Sequence, residues 1–359
     1  MPNAGITGWG KCLPPGVLSN ADLATFLDTS DEWVTSRTGI RERRVAHCSL
    51  QDMAEVAAKR ALACAGIEGR DIDLIVFGTT TFDDQCPNMA SGLQERIGAN
   101  GCGAMDVNTA CTSFLYSLST ATAMIRTGVI KRALVLGAEL ISPLMHWDDR
   151  NVAVLFGDGA AAVVVEATDA EEGLLLEKLG CYGDAREILR LHGIGSAYTH
   201  QGRQYGITEW QFEGQEIFKK AVAGMSMACE DVLRRAGKTA ADVDLVVPHQ
   251  ANLRIIEAVA KKTGVPMERV IVNVERYGNM SAATVPVALC EALEQGRVKP
   301  GALLLMPAFG GGLTFCAHLV RWGQRVTPVK TSDADLPPMK QTALEIVQRY
   351  RKSRSLVLA

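Results

Sequence analysis

Apolar residues recur along this chain in two rhythms. Ala-rich stretches at helical spacing run into short blocks of β-branched and aliphatic residues, with glycines between them. The pattern is clearest around Ala65-Gly66, where a helical stretch gives way to Asp71-Ile72-Asp73-Leu74-Ile75-Val76. This predicts a helix, a glycine-capped turn and a buried strand. The same order returns at Ala236-Gly237 and Asp242-Val243-Asp244-Leu245-Val246-Val247, at an offset in numbering of 236 − 65 = 171. A second pair follows. Cys111-Thr112-Ser113 opens a long apolar helical stretch, and Asn279-Met280-Ser281 opens another, at an offset of 279 − 111 = 168. Those helices end at Gly128 and Gly296, Lys131 and Lys299 come next, and strands begin at Ala133 and Ala302. Two matched helix–strand units in the same order predict a duplicated α/β domain. In such a fold Cys111 and Asn279 occupy equivalent strand-to-helix turns that face one another, and His249 stands just past a strand of the second half. Parallel sheets build sites at the carboxyl ends of their strands.

The chain has 359 residues, which suits two halves rather than one domain. The expected organisation is a first half over 1–170, a second over 171–322 and an extension over 323–359. Pro328, Pro337 and Pro338 mark a linker in the extension. Lys340 to Arg354 reads as a short helix with Ala343, Ile346, Val347 and Tyr350 on one stripe. It fits packing on the body, touching a partner or staying loose.

Hydrophobic residues make up 47% and charged ones 21%, an ordinary globular composition with a large core. A net charge of −3 gives no footprint for a nucleic-acid partner. No apolar run is long enough for a membrane span, and the N-terminus does not read as a signal peptide. The ten cysteines are scattered, with no Cys-x-x-Cys and no zinc spacing. Reduced thiols and a cytoplasmic location are expected.

The candidate chemistry lies at three turns. Cys111 sits where a strand-like stretch meets a helix, and the positive end of a helix dipole favours a thiolate there. As a cysteine alone it equally fits a small buried hydrophobe. His249 follows the strand Val243–Val247 in a loop that faces a cleft. Asn279 belongs to a Gly278-Asn279 turn before a helix, where it also suits a plain cap. The duplication brings the three together.

The residues at these places resemble a known family, the β-ketoacyl-acyl carrier protein synthases III among the thiolase-like condensing enzymes. The likeness rests on Asn108-Thr109-Ala110-Cys111-Thr112-Ser113-Phe114, on His249-Gln250-Ala251-Asn252-Leu253-Arg254, on Tyr277-Gly278-Asn279-Met280-Ser281, and on Phe309-Gly310-Gly311-Gly312. Ser30-Asp31-Glu32-Trp33 through Arg37 and Phe156-Gly157-Asp158-Gly159 add to it. It runs from about Ile6 to Trp322. The resemblance implies an α/β, thiolase-like duplicated fold layered αβαβα with pseudo-twofold halves. It implies an acyl-CoA primer carried on Cys111 and condensed with malonyl-acyl carrier protein, with loss of carbon dioxide, to start an acyl chain. His249 and Asn279 would hold the enolate oxygen. The backbone N–H groups of Cys111 and Gly311 would hold the oxyanion. No cofactor is implied beyond the coenzyme A and phosphopantetheine thioesters, which are substrates. A homodimer is implied as well.

Binding residues follow from the same resemblance. Trp33 and Arg150 would sandwich the adenine, Arg37 would meet phosphate, Asn252 the pantetheine arm, and Phe156 would line the substrate site. Arg254, Lys219, Lys261 and Lys262 would dock the acidic carrier protein, and Lys220 belongs to the same basic group. One departure stands out. The family's short-chain enzymes carry a bulky Phe where this chain has Cys86, and that Phe closes the acyl pocket across a dimer interface. A cysteine there leaves room for a primer longer than acetyl. A papain-like protease fits neither the motifs nor the duplication. A thiolase-fold acyltransferase, or a condensing enzyme of a secondary or signal-molecule pathway, stays open beside chain initiation.

Overall fold

The computed structural model describes residues 2–195 and 208–358. Its strands are β1 (Asn3–Cys12), β2 (Val17–Ser19), β3 (Glu42–Arg44), β4 (Leu74–Gly78), β5 (Gly103–Val107), β6 (Arg132–Glu139), β7 (Gly159–Thr168), β8 (Gly173–Cys181), β9 (Leu189–His192), β10 (Glu209–Phe212), β11 (Leu245–Val246), β12 (Leu303–Gly310) and β13 (Thr314–Arg321). Nine of them join in the order β11-β12-β13-β8-β1-β7-β6-β4-β5. Outward from the β1–β8 contact, the order mirrors itself. On one side lie β7, β6, β4 and β5. On the other lie β13, β12 and β11, and a bridge from Val246 to Val270 stands where β5 has its counterpart.

The mirror has a fixed register. Leu74 pairs with Ala133 in the parallel β4–β6 ladder, and Leu245 pairs with Leu304 in the parallel β11–β12 ladder. Both partners keep one offset between the halves, 245 − 74 = 171 and 304 − 133 = 171. The counterpart of Ala133 is therefore Leu304, two residues beyond the Ala302 that the sequence comparison aligned with it.

Side-chain alternation sorts the sheet into layers, because neighbouring residues of a strand face opposite sides. Leu134 and Leu136 pack outward against the helix Leu50–Ala65, while Ala133 and Val135 pack inward. Leu303 and Leu305 face the outer helices Gly214–Arg235 and Leu253–Thr263, while Leu304 and Met306 face inward. The inner layer holds the two helices Ser113–Arg126 and Thr284–Glu294. Every residue of the latter is buried from Thr284 to Leu293, so it carries no polar stripe. The result is the αβαβα layering that the resemblance implies. The outer helix Leu50–Ala65 starts at a Ser49–Asp52 capping box, and it ends at Gly66 with φ 77°, the glycine-capped turn that the sequence predicts.

The extension packs on the body. Arg325 Nη1 donates to the carbonyls of Thr7 and Ala65 at 2.8 and 3.0 Å, and Val329 N donates to Cys64 O at 2.9 Å. The chain thus runs back along the first half. Its helix, Ala343–Leu358, buries Ala343, Ile346 and Val347 and leaves Tyr350 half-buried. Arg351 pairs with Asp148 and lies 4.4 Å from the Phe26 ring.

Candidate functional site

Two turns of the same build carry the site. In the first half Asn108 Oδ1 accepts from Ala110 N at 3.3 Å, and Ala110 has φ 54°. One tight turn, Ala110–Thr112, follows, and the helix starts at Ser113, whose Oγ donates to Ala110 O at 2.7 Å. In the second half Asn279 Oδ1 accepts from Ser281 N at 2.8 Å, and Ser281 has φ 46°. The turn Ser281–Ala283 follows, and the helix starts at Thr284, whose Oγ1 donates to Ser281 O at 2.9 Å. All three pairs keep the offset of the strands: 279 − 108, 281 − 110 and 284 − 113 each give 171.

This corrects the pairing at an offset of 168. The two turns are equivalent, but Asn279 answers to Asn108, and Cys111 answers to Ala282. The helix in the first half has 14 residues and its counterpart has 11. That difference of three produces the shorter offset seen at the helix ends.

Cys111 is 9% exposed at the floor of a cavity of about 1130 Å³. Hydrogen-bond contributions from its own N–H, from that of Gly311 and from the Ser281 hydroxyl favour the thiolate. Burial nevertheless pushes the thiol up to about 12, and the charge of Glu139 adds to the rise. The dipole argument for a resting thiolate is outweighed. Gly310 has no room for a side chain, because a Cβ there would stand 2.7 Å from Cys111 N.

His249 and Asn279 line the same cavity. His249 N donates to Pro307 O at 2.9 Å, and its Nδ1 meets Thr284 Oγ1 at 2.6 Å. Burial pulls the imidazole down to about 3, so the ring is neutral. Asn279 is fixed by its backbone: N donates to Leu155 O at 2.8 Å and O accepts from Gly157 N at 3.1 Å. These bonds bracket Phe156, which also lines the cavity and stacks 4.8 Å from Trp210. With Oδ1 held by Ser281 N, the Asn279 amide NH2 is the end that faces the open space.

At the cavity mouth lie Trp33, Arg37, Asn252, Arg254 and Lys219. Asn252 caps the helix Leu253–Thr263 and donates from Nδ2 to Arg37 O at 3.1 Å. Arg37 and Arg150 stand 4.5 and 5.1 Å from the Trp33 ring centre. Arg150 is not itself part of the lining, and it donates to Asp28 O at 2.8 Å. Lys219 pairs with Glu216 at 2.7 Å. Lys261 and Lys262 lie outside the lining, in the last turn of their helix, where cations complement the exposed carbonyls. Cys86 is exposed and outside the lining of the single chain. Leu144, Leu191, Trp210, Phe212 and Ile217 make part of the cavity lining apolar. Among the described residues no group of His, Cys, Asp and Glu is arranged to hold a metal ion.

The sequence alone did not single out Asn108, Glu139, Ser281 and Thr284. Holding the offset of the first strands through the turns would have found the Asn108–Asn279 and Ser113–Thr284 pairs. Glu139 carries no such signal, because its counterpart is Gly310.

Residues 105–183 match the family described as 3-oxoacyl-[acyl-carrier-protein] synthase III, and residues 233–322 match its C-terminal part. A curated relative from Vibrio cholerae, beta-ketoacyl-[acyl-carrier-protein] synthase III 2, is 49% identical over 346 residues, 96% of each chain. The crystal structure of 3-oxoacyl-[acyl-carrier-protein] synthase III from Aquifex aeolicus superposes with a TM-score of 0.83 at 43% identity, over 89% of this chain and 100% of that one. The priming β-ketosynthase of the R1128 polyketide pathway superposes with a TM-score of 0.84 at 33% identity, over 90% of this chain and 97% of that one. An alignment covering 96% of this chain includes part of the extension, so the Vibrio relative has residues aligned with that part.

Proposed function

The chain belongs to the 3-oxoacyl-[acyl-carrier-protein] synthase III family, and from that premise we propose that it joins an acyl-CoA primer to malonyl-acyl carrier protein with loss of carbon dioxide. The observation that carries the assignment of roles is that Cys111, His249 and Asn279 line one cavity together with Gly310 and Gly311.

In the first half-reaction the Cys111 thiol gives its proton to His249 Nε2, and the sulfur attacks the thioester carbonyl. The N–H groups of Cys111 and Gly311 hold the oxyanion. The bond to the coenzyme A sulfur breaks, and the leaving thiolate takes the proton from His249. In the second, the malonyl carboxylate leaves as carbon dioxide and its electron pair forms a thioester enolate. Asn279 Nδ2–H and His249 Nε2–H donate to the enolate oxygen. The carbanion attacks the acyl carbonyl, the bond to Cys111 breaks, and the cysteine takes a proton from solvent. The overall reaction therefore consumes one proton. Thr284 serves both halves: its hydroxyl accepts from Nδ1–H while donating to Ser281 O when Nε2 must be a base, and turns from Ser281 O to donate to Nδ1 when Nε2 must be a donor.

Trp33, Arg37 and Arg150 suit the adenine and phosphates of coenzyme A, and Asn252 the pantetheine arm. Arg254 and Lys219, exposed at the same mouth, suit an acidic carrier protein, and Lys261 and Lys262 stand further off on the Arg254 helix. The free edge of β5, half-exposed through Met105 and Val107, supports a homodimer formed across it. Ten free cysteines support a cytoplasmic location.

The apolar part of the lining supports a primer longer than acetyl, and the exposed Cys86 supports it further if a partner subunit presents that residue to the pocket. Competition between acetyl-CoA and octanoyl-CoA for acylation of the protein, read by intact mass, tests this. A predominantly octanoyl adduct is expected, and a strong acetyl preference overturns the chain-length reading. Absence of an adduct with every thioester overturns the reaction itself.

A further inference from the structure

The helix of the extension, Ala343–Leu358, has a fixed start. Thr342 Oγ1 accepts from Glu345 N at 3.2 Å, and Glu345 Oε2 accepts from Thr342 N at 2.7 Å. Its buried residues Ala343, Ile346 and Val347 belong to the same hydrophobic cluster as Ile141, Met145 and Trp147. The helix thereby packs on the tight turn Ser142–Leu144. Its arginines then make two bonds to the body. Arg351 Nε donates to Asp148 Oδ1 at 2.9 Å, in the loop that follows Leu144. Arg354 Nη1 donates to the carbonyl of Thr208, the residue before β10.

The two anchored pieces meet at one carbonyl. Leu144 O accepts from Thr208 Oγ1 and from Trp210 Nε1, each at 3.0 Å. Leu144 and Trp210 both line the cavity, and Trp210 stacks on Phe156, which lines it too. β10 pairs with β9 in a two-stranded sheet, apart from the nine-stranded one. A strand pair of that size is marginal unless something else holds it. The extension ties both pieces of this apolar wall, the loop and the strand, to one capped helix.

We propose that the C-terminal extension is a specificity-determining element: through Arg351 and Arg354 it holds the Leu144–Trp210 wall in place, and so sets the preference for a long acyl primer. This rests on the reading of Cys111 as the acyl carrier and of the apolar lining as the seat of the acyl tail. Octanoyl has a tail to lay on such a wall and acetyl has none, so a loosened wall weakens the long thioester and spares the short one. Coenzyme A is common to both, so a change in its grip moves both rates together.

The test is the rate of acylation by acetyl-CoA and by octanoyl-CoA, read by intact mass in wild type and in the double variant Arg351→Ala with Arg354→Ala. The octanoyl-to-acetyl ratio is expected to fall about tenfold, the scale of one methylene contact in an apolar pocket, with the acetyl rate within about twofold of wild type. Asp148→Asn breaks the first bond from the other end and is expected to shift the ratio in the same direction, by about threefold. It decides alone should the double variant fail to fold. Arg349 meets Gln341 and Tyr350 of the extension itself, and Arg349→Ala is expected to keep the wild-type ratio. Rates that fall together, a ratio that does not move, or an equal shift in Arg349→Ala overturns the proposal and leaves the reaction standing. A wild type acylated by neither thioester, or by acetyl alone, overturns the reading beneath it, and the proposal falls with that reading.

Discussion

The two strand-to-helix turns share a backbone and differ in chemistry. Both use an Asn whose Oδ1 holds the N–H two residues on, a residue at positive φ, and a Ser or Thr hydroxyl at the helix start. The side chains then diverge at matching places. Cys111 stands where the other half has Ala282, His249 where it has Gly78, and Glu139 where it has Gly310. In each case one half carries a reactive group where the other carries little or no side chain. A symmetric scaffold thus offers two copies of a rigid turn, and the site arises where the copies stop being alike. Positive φ at Ala110 and at Ser281 costs about 1–3 kcal/mol each. Holding Cys111 and Asn279 in place is what that strain accompanies.

The comparison breaks most severely if the cysteine is moved. Cys111→Ala is expected to lower condensation by about a thousandfold or more. Ala282→Cys in that background is expected to restore nothing, because Ala282 lacks the Gly311 N–H above it. A recovered acyl adduct in the double variant, by intact mass, would contradict the asymmetry. Gly310→Ala comes next. Its Cβ would meet Cys111 N at 2.7 Å and push the turn aside. Initial rates are expected to fall by about a hundredfold, since small misplacements of a reacting atom have effects of that size.

The paired hydroxyls make a finer test. Thr284→Val leaves His249 Nδ1 without its partner, and is expected to lower kcat about tenfold and stability by about 1–3 kcal/mol. Ser113→Ala removes the matching bond in the other turn and is expected to lower stability alone. Denaturant titration beside steady-state rates separates the two. The remaining test is of pH. Burial holds His249 and His318 at about 3, below the ordinary 6.5. The unfolded chain binds more protons in that window, so their neutral burial is harmless above pH 6.5. Stability is expected to fall as pH drops from 6.5 toward 3, by up to two protons' worth of slope. His318→Gln should remove about half of it.

Much of this was legible in the sequence because the duplication leaves apolar blocks and glycines at fixed spacing. Cys111, His249 and Asn279 stand out as chemistry-bearing residues at strand ends. The register error had a physical source: the second central helix is shorter than the first by nearly one turn, and its end was easier to align than its start. Glu139 was hidden because its partners, Thr79 to Thr81 and Ser281, are ordinary residues far apart in sequence, and only folding brings their hydroxyls to one carboxyl. The seat of the extension was equally out of reach, since a stripe of Ala343, Ile346 and Val347 says that a face is buried but not against what.

The central claim is a division of labour: one turn takes the acyl group, and the opposite half handles the enolate. Intact mass of wild type and Asn279→Ala, first with acyl-CoA and then with malonyl-acyl carrier protein, tests it directly. Both proteins are expected to gain the acyl mass at Cys111, and only wild type to lose it within the chase. An Asn279→Ala protein that clears its acyl group as fast as wild type would contradict the account.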